Sequence, residues 1–249
     1  MRIHCLQHLE FETLGIIRKW VEKRGHTLTL SSPSKTLSFP DPTDYDLLLV
    51  LGGLMSVYEK EAYPWIKLEK EFVKKGIEAD KAILGSCFGG QLIAEVLGGR
   101  VSKNKFKEIG WHKVKKSPQP FWQATKKGES DVFSEDSFNT LLKLFPEEFF
   151  AFMWHGDTFE IPPGARKLFE SKACPNQGYL YKGKVLGLQF HPEADEVWIA
   201  KLVQNCGYEL RGGKYVQEET EILGQKAKLL ETENLGFRLL DWFEEIINR

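Results

Sequence analysis

Apolar and polar positions along the chain fall into short blocks whose period switches between two and about 3.6, as expected where strands alternate with helices. Residues 2–6, 27–30 and 46–51 are compact apolar runs that predict strands, the third built on Leu47-Leu48-Leu49-Val50-Leu51. Residues 14–23 carry apolar side chains at helical spacing and stop near Gly25. A second helix is expected over 64–75, with Pro64 at its start and Gly76 at its end, the usual asymmetry of helix termini. Residues 81–84 predict another strand and 91–97 a helix closed by Gly98-Gly99. Between about residues 100 and 132, Ile109, Trp111 and Val114 alternate with polar neighbours, which predicts inserted antiparallel strands. Residues 148–153 and 185–190 are the last expected strands. This alternation places the chain in the α/β class, with a mostly parallel open sheet covered by helices.

The end of the chain has a different texture. Residues 196–205 and 234–247 have helical spacing, and Leu235, Leu239, Leu240, Trp242 and Phe243 give the second of them a broad apolar face. The charge-rich stretch 215–232 is expected to form a helix projecting outward, towards a second subunit or into a lid position. The reading is therefore a main domain over 1–195 with a helical extension over 196–249 packed on it.

The chemistry concentrates where strands end. Gly85-Ser86-Cys87-Phe88-Gly89 lies between the apolar run Ala82-Ile83-Leu84 and the expected helix at Gln91, the strand, sharp turn and helix of a nucleophile elbow. At the start of a helix, Cys87 would meet partial positive charge that favours a thiolate. A buried structural thiol would satisfy the same five residues. Downstream, Val185 to Phe190 delivers His191-Pro192-Glu193, an imidazole and a carboxylate just past another strand. Cysteine catalysis needs both, one to move the proton and one to hold the imidazole. A solvated surface turn would also read this way, but would not explain the two motifs occurring together. Gly52-Gly53 ends the third strand; it reads either as an ordinary turn or as backbone able to approach a reacting carbonyl oxygen. In the second case the N–H groups of Gly53 and Phe88 form an oxyanion hole. His8 and Glu12 follow the first strand on the same sheet edge and are candidates for the pocket.

These segments resemble the class I glutamine amidotransferases, in particular their small stand-alone members of the GMP-synthase-like kind. Gly85-Ser86-Cys87-Phe88-Gly89-Gly90-Gln91 is similar to the family's nucleophile segment, and Gln189-Phe190-His191-Pro192-Glu193 to its His-Pro-Glu segment. Leu51 to Tyr58 resembles the oxyanion strand, and Trp154-His155-Gly156-Asp157 a loop recurring in the subgroup. The resemblance runs from Met1 to about Ala194 and implies a flavodoxin-like sheet. It also implies Cys87, His191 and Glu193 as catalytic residues, with Gly52, Gln91 and His155 on the substrate side. Phe88 and Gly90 depart from the family's usual residues, which would alter the substrate pocket. The implied substrate is glutamine or another γ-glutamyl compound, and the implied partner a separate synthetase or acceptor protein. A γ-glutamyl peptide hydrolase and a non-catalytic binding module are the alternatives.

Composition narrows the field. With 34 Lys and Arg against 35 Asp and Glu in 249 residues, the net charge is −1, and no nucleic-acid partner is expected. The clusters Lys113-Val114-Lys115-Lys116 and Lys126-Lys127 read as solvated loops. The four cysteines, Cys5, Cys87, Cys174 and Cys206, show neither C-x-x-C nor metal-ligand spacing, so neither zinc nor a disulfide framework is expected, and the implied thioester chemistry needs no metal or organic cofactor. Reduced thiols, no apparent leader and no membrane-length apolar stretch together predict a cytoplasmic protein without membrane contact.

Overall fold

The computed structural model describes residues 1–117 and 135–249. Its central strands are β1 (Arg2–Leu6), β2 (Thr27–Ser31), β3 (Leu47–Val50), β4 (Ala82–Ser86) and, much later, β9 (Val185–Leu188). They lie parallel in the order β2-β1-β3-β4-β9. Beyond β9 the sheet turns antiparallel through β8 (Gly178–Tyr181), β7 (Ala165–Ser171) and β5 (Val101–Lys116), with β6 (Glu148–Phe159) also paired to β5. The short β10 (Tyr215–Val216) closes this edge, parallel to β5. The described strands thus form one mixed sheet, parallel at its centre, within an α/β fold.

Helices cover both faces, which is why β3 reads as an unbroken apolar run. Leu47 and Leu49 face α1 (Ile16–Arg24) and α7 (Lys226–Ile247), through Ile16, Trp20, Leu235 and Leu239. α4 (Glu135–Leu144) joins the same core through Phe138 and Leu141. Leu48 and Val50 face α2 (Trp65–Glu78) and α3 (Phe88–Val96), through Ile66, Phe72, Leu92 and Ile93. A third cluster packs α5 (Glu196–Cys206) against Trp111, Phe152 and Trp154 of β5 and β6.

Several expectations change here. Gly76 does not end α2; it lies inside the helix, where a Cβ would come within 2.8 Å of Tyr45 Oη, so close packing and not termination explains it. The inserted strand is one 16-residue element, β5, and the part of that expectation falling on 118–132, with Lys126-Lys127, lies outside the described residues. Residues 154–157 are not a loop, because β6 continues through them to Phe159, paired with β5. The stretch 215–232 does not project. It forms β10, then α6 (Glu219–Ile222), then the first turns of α7. Ile222 and Thr232 are buried, and the Ile222 carbonyl accepts from Trp111 Nε1 at 3.0 Å, so the segment is docked along the β5 edge.

Candidate active site

Cys87 is the single residue between β4 and α3, and it has the left-handed backbone φ of 51° that the elbow imposes. Such a conformation is costly for a non-glycine residue and persists only where its surroundings enforce it. Here Cys87 N–H donates to the Leu188 carbonyl at 2.9 Å, and its own carbonyl accepts from Gln91 N–H at 3.0 Å. Gly89 lets α3 press onto the sheet, since a Cβ there would sit 1.9 Å from the Val50 carbonyl oxygen. The thiol is buried at the foot of a cleft, with Sγ 3.5 Å from the Trp154 carbonyl oxygen and 3.9 Å from Gln189 Nε2.

His191 and Glu193 arrive from the segment after β9. His191 N–H donates to the Phe152 carbonyl at 3.0 Å, and the ring packs on Trp198 of α5 with centroids 4.7 Å apart. Its Nδ1 lies 2.8 Å from Glu193 Oε1, while Nε2 is buried with no hydrogen-bond partner. The imidazole and thiol meet at Gly52, where a Cβ would fall 2.9 Å from His191 Cε1 and 3.7 Å from Cys87 Cβ. Burial disfavours charge on the ring, but Glu193 and Cys87 outweigh it and His191 is raised from 6.5 to about 10. The ring thus holds its proton more tightly than a free imidazole. The other three thiols are buried and pushed up, Cys174 and Cys206 to about 11 and Cys5 further.

The cleft, about 560 Å³ counted to its open mouth, is lined by Gly53, Met55, Ser56, Cys87, Gln91, Trp154, His155 and Asp157. Gln91 and His155 thus stand on its wall. The His155 ring, however, is already committed, with Nε2 3.1 Å from Glu108 Oε2 and Nδ1 2.9 Å from the Asp157 carbonyl. At the mouth, Lys107 Nζ is 2.7 Å from Glu209 Oε2, and Trp154 Nε1 donates to Glu209 Oε1 at 3.1 Å. Sequence reasoning missed Lys107 and Glu209, because a half-exposed ion pair between distant segments leaves no local pattern.

Four expectations about this region are corrected. His8 does not line the cleft; it is buried beneath Gly52, between Trp65 and Phe88. Glu12 lies behind His191, where its Oε1 accepts from Trp198 Nε1 at 3.0 Å. Phe88 points into the core on His8 and Trp65, and Gly90 packs on β9, where a Cβ would meet the Leu188 carbonyl oxygen at 2.5 Å. Neither of these two departures shapes the cleft. Among the described residues, no group of His, Cys, Asp or Glu is arranged to hold a metal ion, and no helix is long and apolar enough to cross a membrane.

Known proteins resemble the chain in sequence and in fold. The Salmonella typhimurium glutamine amidotransferase-like protein YfeJ is 29% identical over 229 residues, covering 89% of each chain. A GMP synthase [glutamine-hydrolyzing] of Borreliella burgdorferi is 33% identical over 147 residues, 59% of this chain but only 24% of that enzyme. The crystal structure of a glutamine amidotransferase from Thermotoga maritima superposes with a TM-score of 0.77 at 30% identity, covering 99% of this chain and 97% of that one. One from Methylobacillus flagellatus shares the fold at a TM-score of 0.84 and 23% identity, over 98% and 94% of the two chains. The family model for class-I glutamine amidotransferases matches residues 13–205, a span that holds the elbow, the cleft wall and the His-Pro-Glu segment, and the chain belongs to that family.

Proposed function

We propose that the chain hydrolyses the side-chain amide of glutamine through a thioester on Cys87. The observation that carries this reading is the His191 ring, held by Glu193 at 2.8 Å through Nδ1 and meeting Cys87 at Gly52. In the first half-reaction the Cys87 thiolate attacks the amide carbon. The resulting oxyanion takes hydrogen bonds from Gly53 and Phe88 N–H, which no described group accepts. His191 Nε2 gives its proton to the departing nitrogen, and ammonia leaves as the thioester forms. In the second, His191 takes a proton from water, whose oxygen attacks the thioester; collapse returns the thiolate and releases glutamate. Neither half-reaction calls on a metal or an organic cofactor.

Gln91 and the Asp157 region, steadied by His155, form the wall against which the amino-acid end of the substrate lies. A separate acceptor protein that consumes the ammonia fits the coupling of synthase and glutamine hydrolysis in the name of the matched GMP synthase. The cleft's extension to Lys107 and Glu209 favours, as a second reading, γ-glutamyl peptides with a larger leaving group. Incubating the purified chain with glutamine and with a γ-glutamyl dipeptide separates the two. Ammonia from glutamine, slow alone and faster with an acceptor protein, supports the first reading. Fast release of amino acid from the dipeptide supports the second, and no reaction with either points to a binding module.

A further inference from the structure

Beneath the site lies an ion pair that the proposed thioester chemistry does not use. His8 Nδ1 is 2.8 Å from the Gly52 carbonyl oxygen, and His8 Nε2 is 2.9 Å from Glu69 Oε1. Both side chains are 0% exposed. The ring stacks on Trp65 at 5.5 Å and meets Phe88 edge-on at 4.8 Å, which fixes its plane. A carbonyl and a carboxylate only accept, so a ring that satisfies both carries a proton on each nitrogen. Glu69, reaching in from α2, is the charge that faces it, with the Glu12 carboxyl in the segment after β1 a lesser neighbour; against burial, Glu69 and the Gly52 carbonyl raise its proton affinity. A buried pair of this kind is costly in desolvation and adds little stability over an apolar replacement.

The bond to Gly52 shows what the pair holds. The Gly52 carbonyl and the Gly53 N–H belong to one rigid trans peptide, and point in opposite directions from it. Drawing the carbonyl down to His8 turns the Gly53 N–H to the opposite side, and Gly53 lines the cleft that holds Cys87. With glycine on both sides of the bond, little steric resistance would otherwise keep that peptide from rotating. We infer that the buried His8–Glu69 pair is a positioning device that locks the Gly52–Gly53 peptide with its N–H offered to an oxyanion on Cys87. It deepens the proposed function and rests on it only in requiring that Cys87 be acylated.

The test compares two reactions of the same thiol in the full-length protein. Iodoacetamide alkylates Cys87 by displacing iodide at a saturated carbon, with no oxyanion. Acylation by p-nitrophenyl acetate passes through a tetrahedral oxyanion and expels p-nitrophenolate. His8→Leu alone strands a buried carboxylate, so the double variant His8→Leu/Glu69→Leu separates loss of the lock from loss of the fold. In it, acylation slows by ~10- to 100-fold while alkylation stays within about threefold of the parent. His8→Asn/Glu69→Leu, whose amide keeps a donor near the Nδ1 position without stranding the carboxylate, recovers most of the acylation rate. Unchanged acylation in the double variant, or an equal fall in both reactions, overturns the inference. Glutamine turnover by the parent protein is measured alongside: its absence refutes the proposed substrate, while the ratio of acylation to alkylation still judges the lock.

Discussion

Ser86 donates its hydroxyl to Glu193 Oε1 at 3.0 Å, the same oxygen that lies 2.8 Å from His191 Nδ1. The residue before Cys87 thus braces the carboxylate that holds the His191 ring, and the two sequence motifs are joined by a buried side-chain contact. Glu193 Oε2 has no partner, so Oε1 carries all of the carboxylate's observed hydrogen bonding.

Ser86→Ala therefore removes a hydrogen bond to a buried carboxylate without touching the thiol. A bond of this kind contributes about 1.5–3 kcal/mol, so kcat for glutamine falls roughly tenfold or more. Steady-state kinetics check this, with KM moving little because the Ser86 hydroxyl is turned towards Glu193 and lines no part of the cleft.

Glu12 gives the fold a pH dependence of known sign. Burial, and then the charge of Glu193, raise its carboxyl from 4.5 to about 8. The folded state consequently binds this proton more tightly than the unfolded chain. That contribution is complete below pH 4.5 and is lost as pH rises through about 8. Glu12→Gln keeps an acceptor for Trp198 and removes the titration, so its stability relative to the parent improves between these limits, by at most about 1.4 kcal/mol per pH unit. Urea unfolding at pH 5, 7 and 9 reads the difference directly; curves that stay parallel would refute the assignment.

In the proposed mechanism His191 sets the alkaline limit of turnover. Raised to about 10, it keeps the proton needed by the leaving nitrogen well above neutrality. The pH profile of kcat/KM for glutamine is expected to hold through pH 8 and to fall on approaching 10, the value to which His191 is raised. Glu193→Gln, which removes the neighbouring charge, moves that fall to lower pH.

The helical end of the chain supports the site through backbone contact. A Cβ on Gly236 of α7 would lie 2.3 Å from the Pro192 carbonyl oxygen, and one on Gly15 only 1.9 Å from that of Glu193. Gly236→Ala forces α7 away from the His-Pro-Glu segment. We expect a loss of about 1–3 kcal/mol in stability together with reduced kcat. Thermal melts and kinetics on the same preparation test this, and a variant that melts normally with full activity would contradict it.

Much of this arrangement is legible in the sequence because it is local. The apolar runs of β1, β3 and β4, the elbow glycines and the His-Pro-Glu segment each announce themselves within a few residues. β7 and β8 do not, since Arg166, Lys167 and Glu170 break the alternation of one and the other has only four residues. Pro64 and Gly76 marked the second helix, but Gly76 answers to Tyr45, a neighbour visible only in three dimensions. The sequence puts His8 and Glu12 just after β1, yet whether they face the cleft or support it depends on Trp65, Phe88 and Trp198, which come from other elements. Glu209 reaches the cleft from a turn after α5, and no periodicity encodes that approach.

The central claim is the thioester, and rapid-quench mass spectrometry after mixing with glutamine tests it most directly. The account predicts a γ-glutamyl adduct on the peptide containing Cys87, absent from Cys87→Ala, with Cys5, Cys174 and Cys206 unmodified. Hydroxylamine should discharge the adduct as γ-glutamyl hydroxamate. Ammonia release that persists in Cys87→Ala, or an adduct on any of the other three cysteines, would contradict it.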